Sequence, residues 1–243
     1  MTKGVHEFRV RTYECGPDGR ATLPTVCNYL QEAASVNAEA LGFSKTNFDA
    51  AGSNISWVLT RLLVKMDEYP RWEDVVTVET FPRGGRKIVA WRDFELKASD
   101  GRRLGAATSE WMLIDLATRK VVPIPEAVFD CLDPSLEPVL GADPFTPRLK
   151  FPCDAPSAAP LSFRAQRSHI DLNGHVNNVH YIEWMLECDH PATCTSMEVV
   201  FRSETLAGDE VLVDTAAAGG ALYHRVHSPD ARDHILARTE WKA

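Results

Sequence analysis

The chain has little of what usually assigns a protein at a glance. Its six cysteines, Cys15, Cys27, Cys131, Cys153, Cys188 and Cys194, form no CxxC pair and no regular spacing. That argues against a zinc ribbon and against a disulfide framework, and leaves them as reduced thiols. No run of about 18 apolar residues occurs, and the opening stretch "MTKGVHEFRVRTYECG" has no apolar signal-peptide core. The expected setting is therefore the cytoplasm, away from the membrane. Basic residues are in deficit, with 26 Lys and Arg against 34 Asp and Glu and a net charge of −8. Nucleic acid is disfavoured as a partner, because phosphate binding needs a basic surface. There is no G-x-S-x-G elbow and no strand–helix–strand alternation, so a serine-based α/β-hydrolase is disfavoured as well.

Proline is present but unevenly spread: nine of fifteen fall between Pro123 and Pro160. Each removes a backbone donor and fixes φ, so this stretch reads as a linker, not as regular helix or central strand. The segments on either side resemble each other. "EFRVRTYECGPDGRATLPTVCNYLQEAA" aligns with "SFRAQRSHIDLNGHVNNVHYIEWMLE", and the halves close on "TSEW" and "RTEW". The expected domains are thus 1–122, a linker over 123–160, and 161–243.

Each half offers one helix and then several strands. In the first, Leu23, Val26, Cys27, Leu30, Ala33, Ala34, Ala38 and Leu41 recur at helical spacing, with Pro24 in the first turn and Gly42 after the last. In the second, Val176, Val179, Ile182, Met185 and Leu186 form the stripe. Strand-like runs follow each helix, with "PRGGRK" and "SDGRR" as hairpin turns in the first half. One helix and then antiparallel strands, twice, is α+β. A long helix wrapped by a curled antiparallel sheet is the hotdog architecture, here a tandem or double hotdog.

The densest chemistry lies in "HIDLNGHVNNVHYIEWMLE", residues 169–187. A calcium loop begun at Asp171 would need Gly at its sixth place and Glu at its twelfth, where Val176 and Ile182 stand. A transition-metal set of His169, His175, His180 and Asp171 matches no known ligand spacing. A plain helix cap needs one of Asp171 or Asn173, yet four or five polar groups are supplied. The remaining reading uses the helix N-terminus, whose free N–H groups favour a developing oxyanion, with Asn, His and a carboxylate to position and deprotonate water. That chemistry is hydrolysis of an acyl group.

"DLNGHVNNVHYIEWMLE" resembles the signature of acyl-acyl-carrier-protein thioesterases, the FatA/FatB-like family in its bacterial type. "SWVLTRLLVKMDEYPRWEDVVTVETF", "LPTVCNYLQEAASVNAEALGF" and "RLGAATSEWMLIDLATRKVVPIPE" are similar to its other segments, in the same order. The resemblance implies hydrolysis of fatty acyl-ACP to free acid and holo-ACP in fatty acid biosynthesis, with no metal and no other cofactor. It implies Asp171, Asn173, His175 and Glu204 as the catalytic set, with Thr205 where the plant proteins carry Cys. The first half has "GPDGRATLPTV" in place of "DLNGHVNNV", which makes it catalytically silent and a shaper of the acyl tunnel. The implied partner is the acyl carrier protein. Docking is expected on Arg83, Arg86, Lys87, Arg102 and Arg103, and the assembly to be an internal pseudo-dimer that can itself pair as a homodimer. The alternatives are an acyl-CoA thioesterase and a non-catalytic sensor that binds acyl thioesters.

Overall fold

A computed structural model describes residues 2–157, 159–188 and 192–242. The chain divides into two units, residues 1–144 and 145–243. In the first, the elements are β1 (Gly4–Arg9), α1 (Leu23–Ala40), α2 (Lys45–Ala50), β2 (Ile55–Met66), β3 (Val75–Arg86), β4 (Val89–Ala98), β5 (Arg103–Asp115), β6 (Val121–Val122) and α3 (Glu126–Asp130). In the second they are β7 (Leu161–Arg164), α4 (Asn178–Leu186), β8 (Thr193–Phe201), β9 (Glu210–Ala218), β10 (Ala221–His227) and β11 (Asp233–Lys242).

The strands of the first unit lie in the order β1-β3-β4-β5-β2, with β6 on β5, and those of the second in the order β8-β11-β10-β9-β7. Pairing within each is antiparallel. Helix α1 runs 18 residues and buries Leu23, Val26, Cys27, Leu30, Ala33 and Ala34, the first six positions of the expected stripe. Thr22 caps it by accepting from Thr25 N, and Pro24 stands in the first turn, where a missing N–H costs nothing. Near its C-terminal end the stripe departs from expectation. Asn37 is buried there, whereas Ala38 and Leu41 are half-exposed. Helix α4 is only nine residues, so the second unit has a shorter helix than the sequence pattern suggests; Val179, Ile182 and Met185 are buried as expected.

Two local expectations need correction. The "PRGGRK" hairpin turns later than expected, at Lys87–Ile88: β3 continues through Arg86, and a bulge between Pro82 and Gly84 absorbs the proline. The proline-rich stretch is not purely a linker. Glu126–Asp130, five residues free of proline, form α3, and Ile124 and Val128 are buried beside Phe48 and Leu113. Glu204 itself lies beyond β8, which stops at Phe201. Among the described residues no helix is long and apolar enough to cross a membrane.

Candidate active site

The site is built on the loop that enters α4. A single 3-10 turn, Arg167–His169, leads into it, and an antiparallel bridge between Ile170 and Val176 closes it. Asp171 N donates to His175 O at 2.9 Å and Gly174 N to Asp171 O at 3.0 Å. Gly174 has φ +82°, the left-handed region where a side chain would strain the turn. The Asp171 carboxylate braces the loop from inside. Its Oδ1 accepts from Asn173 N at 2.8 Å and its Oδ2 from Asn173 Nδ2 at 3.3 Å. Neither Asp171 nor Asn173 caps α4; Asn177 does, accepting from Val179 N at 3.0 Å. Sequence reasoning missed Asn177, although an Asn just before an apolar helical stripe is itself a cap signal.

His175 precedes the helix by three residues, and its Nε2 stands 3.0 Å from Glu204 Oε2. The His175 side chain is 23% exposed and that of Glu204 is 42% exposed, so both reach solvent. Two sets of bonds hold the Glu204 segment. Val176 N donates to Thr205 O at 3.0 Å, tying it to the His175 loop. From the other side Arg202 N donates to His234 O at 2.8 Å, Ser203 Oγ donates to Asp233 O at 2.8 Å, and Ser203 Oγ meets His234 Nδ1 at 2.9 Å. Burial lowers the pKa of His234.

Thr205 is fully buried behind this pair. Its Oγ1 and the Tyr181 hydroxyl are neighbours in the core, neither in a well-formed hydrogen bond, and burial pushes the Tyr181 phenol up to about 12. The imidazoles weighed as a metal set face different partners. The His169 and His180 rings lie 4.6 Å apart and tilted to each other, His180 Nδ1 meets Glu183 Oε2 at 2.6 Å, and His175 meets Glu204.

The first unit repeats this loop with other side chains. A Cys15–Ala21 bridge closes it, Gly16 N donates to Arg20 O at 2.8 Å, and Gly19 N donates to Gly16 O at 3.0 Å. Thr22 N donates to Glu14 O at 3.0 Å as Asn177 N donates to His169 O at 2.9 Å, and Ala21 N meets Pro70 O as Val176 N meets Thr205 O. Arg20 therefore occupies the place of His175, Gly16 that of Asp171, Asp18 that of Asn173 and Tyr69 that of Glu204. No acid–base pair survives in that frame.

The basic residues expected to dock a carrier are largely answered by neighbours. Arg83 Nε lies 3.2 Å from the buried Asp93 Oδ1, Arg86 sits over the Trp91 ring, Arg102 pairs with Glu68, and Arg103 Nε is 3.3 Å from Asp67 Oδ2.

Residues 3–132 match the model of the acyl-ACP thioesterase N-terminal domain, and residues 157–243 match that of the C-terminal domain. The chain is 31% identical to the chloroplastic oleoyl-acyl carrier protein thioesterase of Coriandrum sativum, over 95% of this chain and 69% of that protein. It is 30% identical to the chloroplastic palmitoyl-acyl carrier protein thioesterase of Gossypium hirsutum, over 97% of this chain but 62% of that one. The chain thus spans about two-thirds of the length of these plant relatives. Among solved structures, the 12:0-ACP thioesterase of Umbellularia californica superposes with a TM-score of 0.85 at 25% identity, covering 99% of this chain and 94% of that one. The acyl-ACP thioesterase of Bacteroides thetaiotaomicron shares the fold with a TM-score of 0.84 at 24% identity, over 99% and 98% of the two chains.

Proposed function

This chain belongs to the acyl-ACP thioesterase family, and from that premise we propose that it hydrolyses fatty acyl-ACP thioesters to free fatty acid and holo-ACP, with His175 and Glu204 activating the water. The observation that carries the assignment of residues is the 3.0 Å contact between His175 Nε2 and Glu204 Oε2, in a loop whose first-unit counterpart holds Arg20 and Tyr69. A water molecule at this pair loses a proton to it as its oxygen attacks the thioester carbonyl carbon. The carbonyl electrons move to oxygen, where the positive end of the α4 dipole favours the developing charge. When the intermediate collapses, the C–S bond breaks and the proton returns to the pantetheine sulfur. Asn173 positions the water or carbonyl, and Asp171 holds Asn173 in place. The first unit is the silent half and shapes the acyl tunnel; the missing acid–base pair supports that division. The expected compartment is the cytoplasm, and the two units form an internal pseudo-dimer.

The test is to incubate the full chain with a panel of acyl-ACPs, and with the matching acyl-CoAs, and to identify the released acids. Free acid released faster from ACP than from CoA is the expected result. Faster release from CoA would make the chain an acyl-CoA thioesterase, and binding without release would make it a sensor.

A further inference from the structure

The α1-facing surface of the first sheet changes character along its strands. On β4, Phe94 and Leu96 are 1% and 0% exposed, and Arg92, two positions before Phe94 on the same face, is only 9% exposed. Across the ladder on β5, Leu96 is opposite Gly105, Phe94 opposite Ala107, and Arg92 opposite Ser109. An apolar floor thus gives way to a polar end. There α1 supplies its buried Asn37, whose Oδ1 accepts from Arg92 Nη1 at 2.6 Å, while Thr80 Oγ1 on β3 accepts from the same nitrogen at 3.2 Å.

Arg92 lacks what a buried guanidinium normally has. Burying a cation without an opposing charge is costly, and on the other face of the same sheet Arg83 is answered by Asp93 at 3.2 Å. Among the described residues no carboxylate answers Arg92, and burial alone acts on it, lowering its pKa to about 10. It remains a cation at neutral pH. Only Nη1 is engaged, leaving the N–H groups of Nε and Nη2, the edge of the fork that matches a carboxylate. A second unused group borders the same Asn37: His6 Nε2 is buried without a hydrogen-bond partner. A Cβ on Gly4 would lie 2.8 Å from both His6 Nε2 and Asn37 Nδ2, so the glycine permits their close approach.

We propose that Arg92, with Asn37, Thr80 and His6, forms a binding site for a carboxylate carried on an aliphatic chain. The guanidinium fork takes the carboxylate, His6 Nε2 adds a donor, and the Phe94 and Leu96 end takes the chain. Two molecules offer that chemistry: a free fatty acid, and an acyl group whose far end carries a carboxylate. The site shares no residue with the His175–Glu204 pair and is read by binding, not by turnover.

The experiment is calorimetric titration of the full chain with octanoate, octan-1-ol and octanedioic acid monoamide. Octanoate should bind at least tenfold more tightly than the alcohol. R92Q should lose that preference and R92K should keep part of it, while H175A, which removes the candidate catalytic imidazole, should leave octanoate affinity unchanged. Tighter binding of octanoate than of the monoamide assigns the site to free fatty acids, and the reverse order assigns it to chains with a terminal carboxylate. If R92Q does not fold, H6A takes its place, with a several-fold loss expected. Equal binding of acid and alcohol, undiminished octanoate binding by R92Q or H6A, loss of binding in H175A, or no binding of any probe would overturn the proposal.

Discussion

His175 Nε2 and Glu204 Oε2 stand 3.0 Å apart although 29 positions of chain separate them, and one backbone bond, Val176 N to Thr205 O at 3.0 Å, sets the approach. Both residues are partly exposed and both loops are held from behind, which is what a reacting pair needs. H175A and E204Q should each lower kcat for acyl-ACP by roughly two to four orders of magnitude, the usual range for losing general acid–base help. Steady-state release of free acid measures it. Near-native rates in both folded variants would remove the assignment.

No cysteine should be needed. Thr205, at the place where the plant proteins carry Cys, is fully buried, and burial pushes the Cys194 thiol up to about 12, far from a reactive thiolate. Cys188 follows the last turn of α4, at the opposite end of the helix from His175. A variant with all six cysteines replaced by Ala should keep kcat within about tenfold, any loss coming from packing at the buried Cys27 and Cys194. T205V should behave alike. Substrate-protected inactivation by an alkylating reagent, mapped to one cysteine in folded protein, would contradict this.

Arg83 and Asp93 should matter to stability, not to carrier docking. Asp93 is 1% exposed and also accepts from Thr108 Oγ1 at 2.6 Å and Val139 N at 2.9 Å. D93A leaves a buried guanidinium and two donors unanswered and should cost about 3 kcal/mol or more in denaturant unfolding. R102E, at an exposed pair, should stay within about 1 kcal/mol. A small loss in D93A would show that water replaces the carboxylate.

Acid should loosen the second unit before it titrates the carboxylates. His224 is fully buried between Thr215 Oγ1 at 3.1 Å and Thr239 Oγ1 at 2.9 Å, and burial lowers its pKa to about 4. Above about pH 6.5 neither folded nor unfolded chain binds that proton. Between about 6.5 and 4 the unfolded chain binds it and the folded one does not, so stability falls with pH, by on the order of 3 kcal/mol in all. Burial shifts His234 and His169 in the same direction. Melting temperature followed from pH 8 to pH 4.5 should drop, and H224Q should flatten the drop. A flat wild-type profile would place a proton on His224 in the native state.

Much of this protein is legible in its residues because local chemistry decides it. The stripe from Leu23 to Ala34 had to be a buried helix, since no other conformation puts those side chains on one face, and the strand runs of both halves alternate as pleated chain must. The Asp171-to-His175 loop, with glycine at the left-handed position, is a short-range device readable from its own residues. What local chemistry leaves open is where separate segments meet. That Glu204 lies past the end of β8 and faces His175 follows from the clamp by Ser203, Asp233 and His234, residues roughly 30 positions apart whose attraction has no signature along the chain. Likewise, Arg83 reads as a surface turn residue until the bulge in β3 carries it onto Asp93, and Arg92 reads as one polar place in an ordinary strand until the sheet curls it against Asn37. Side-chain periodicity determined which face each residue occupies; only the pairing of strands and the seating of helices decided which charges would lose their water, and so which of them became a site.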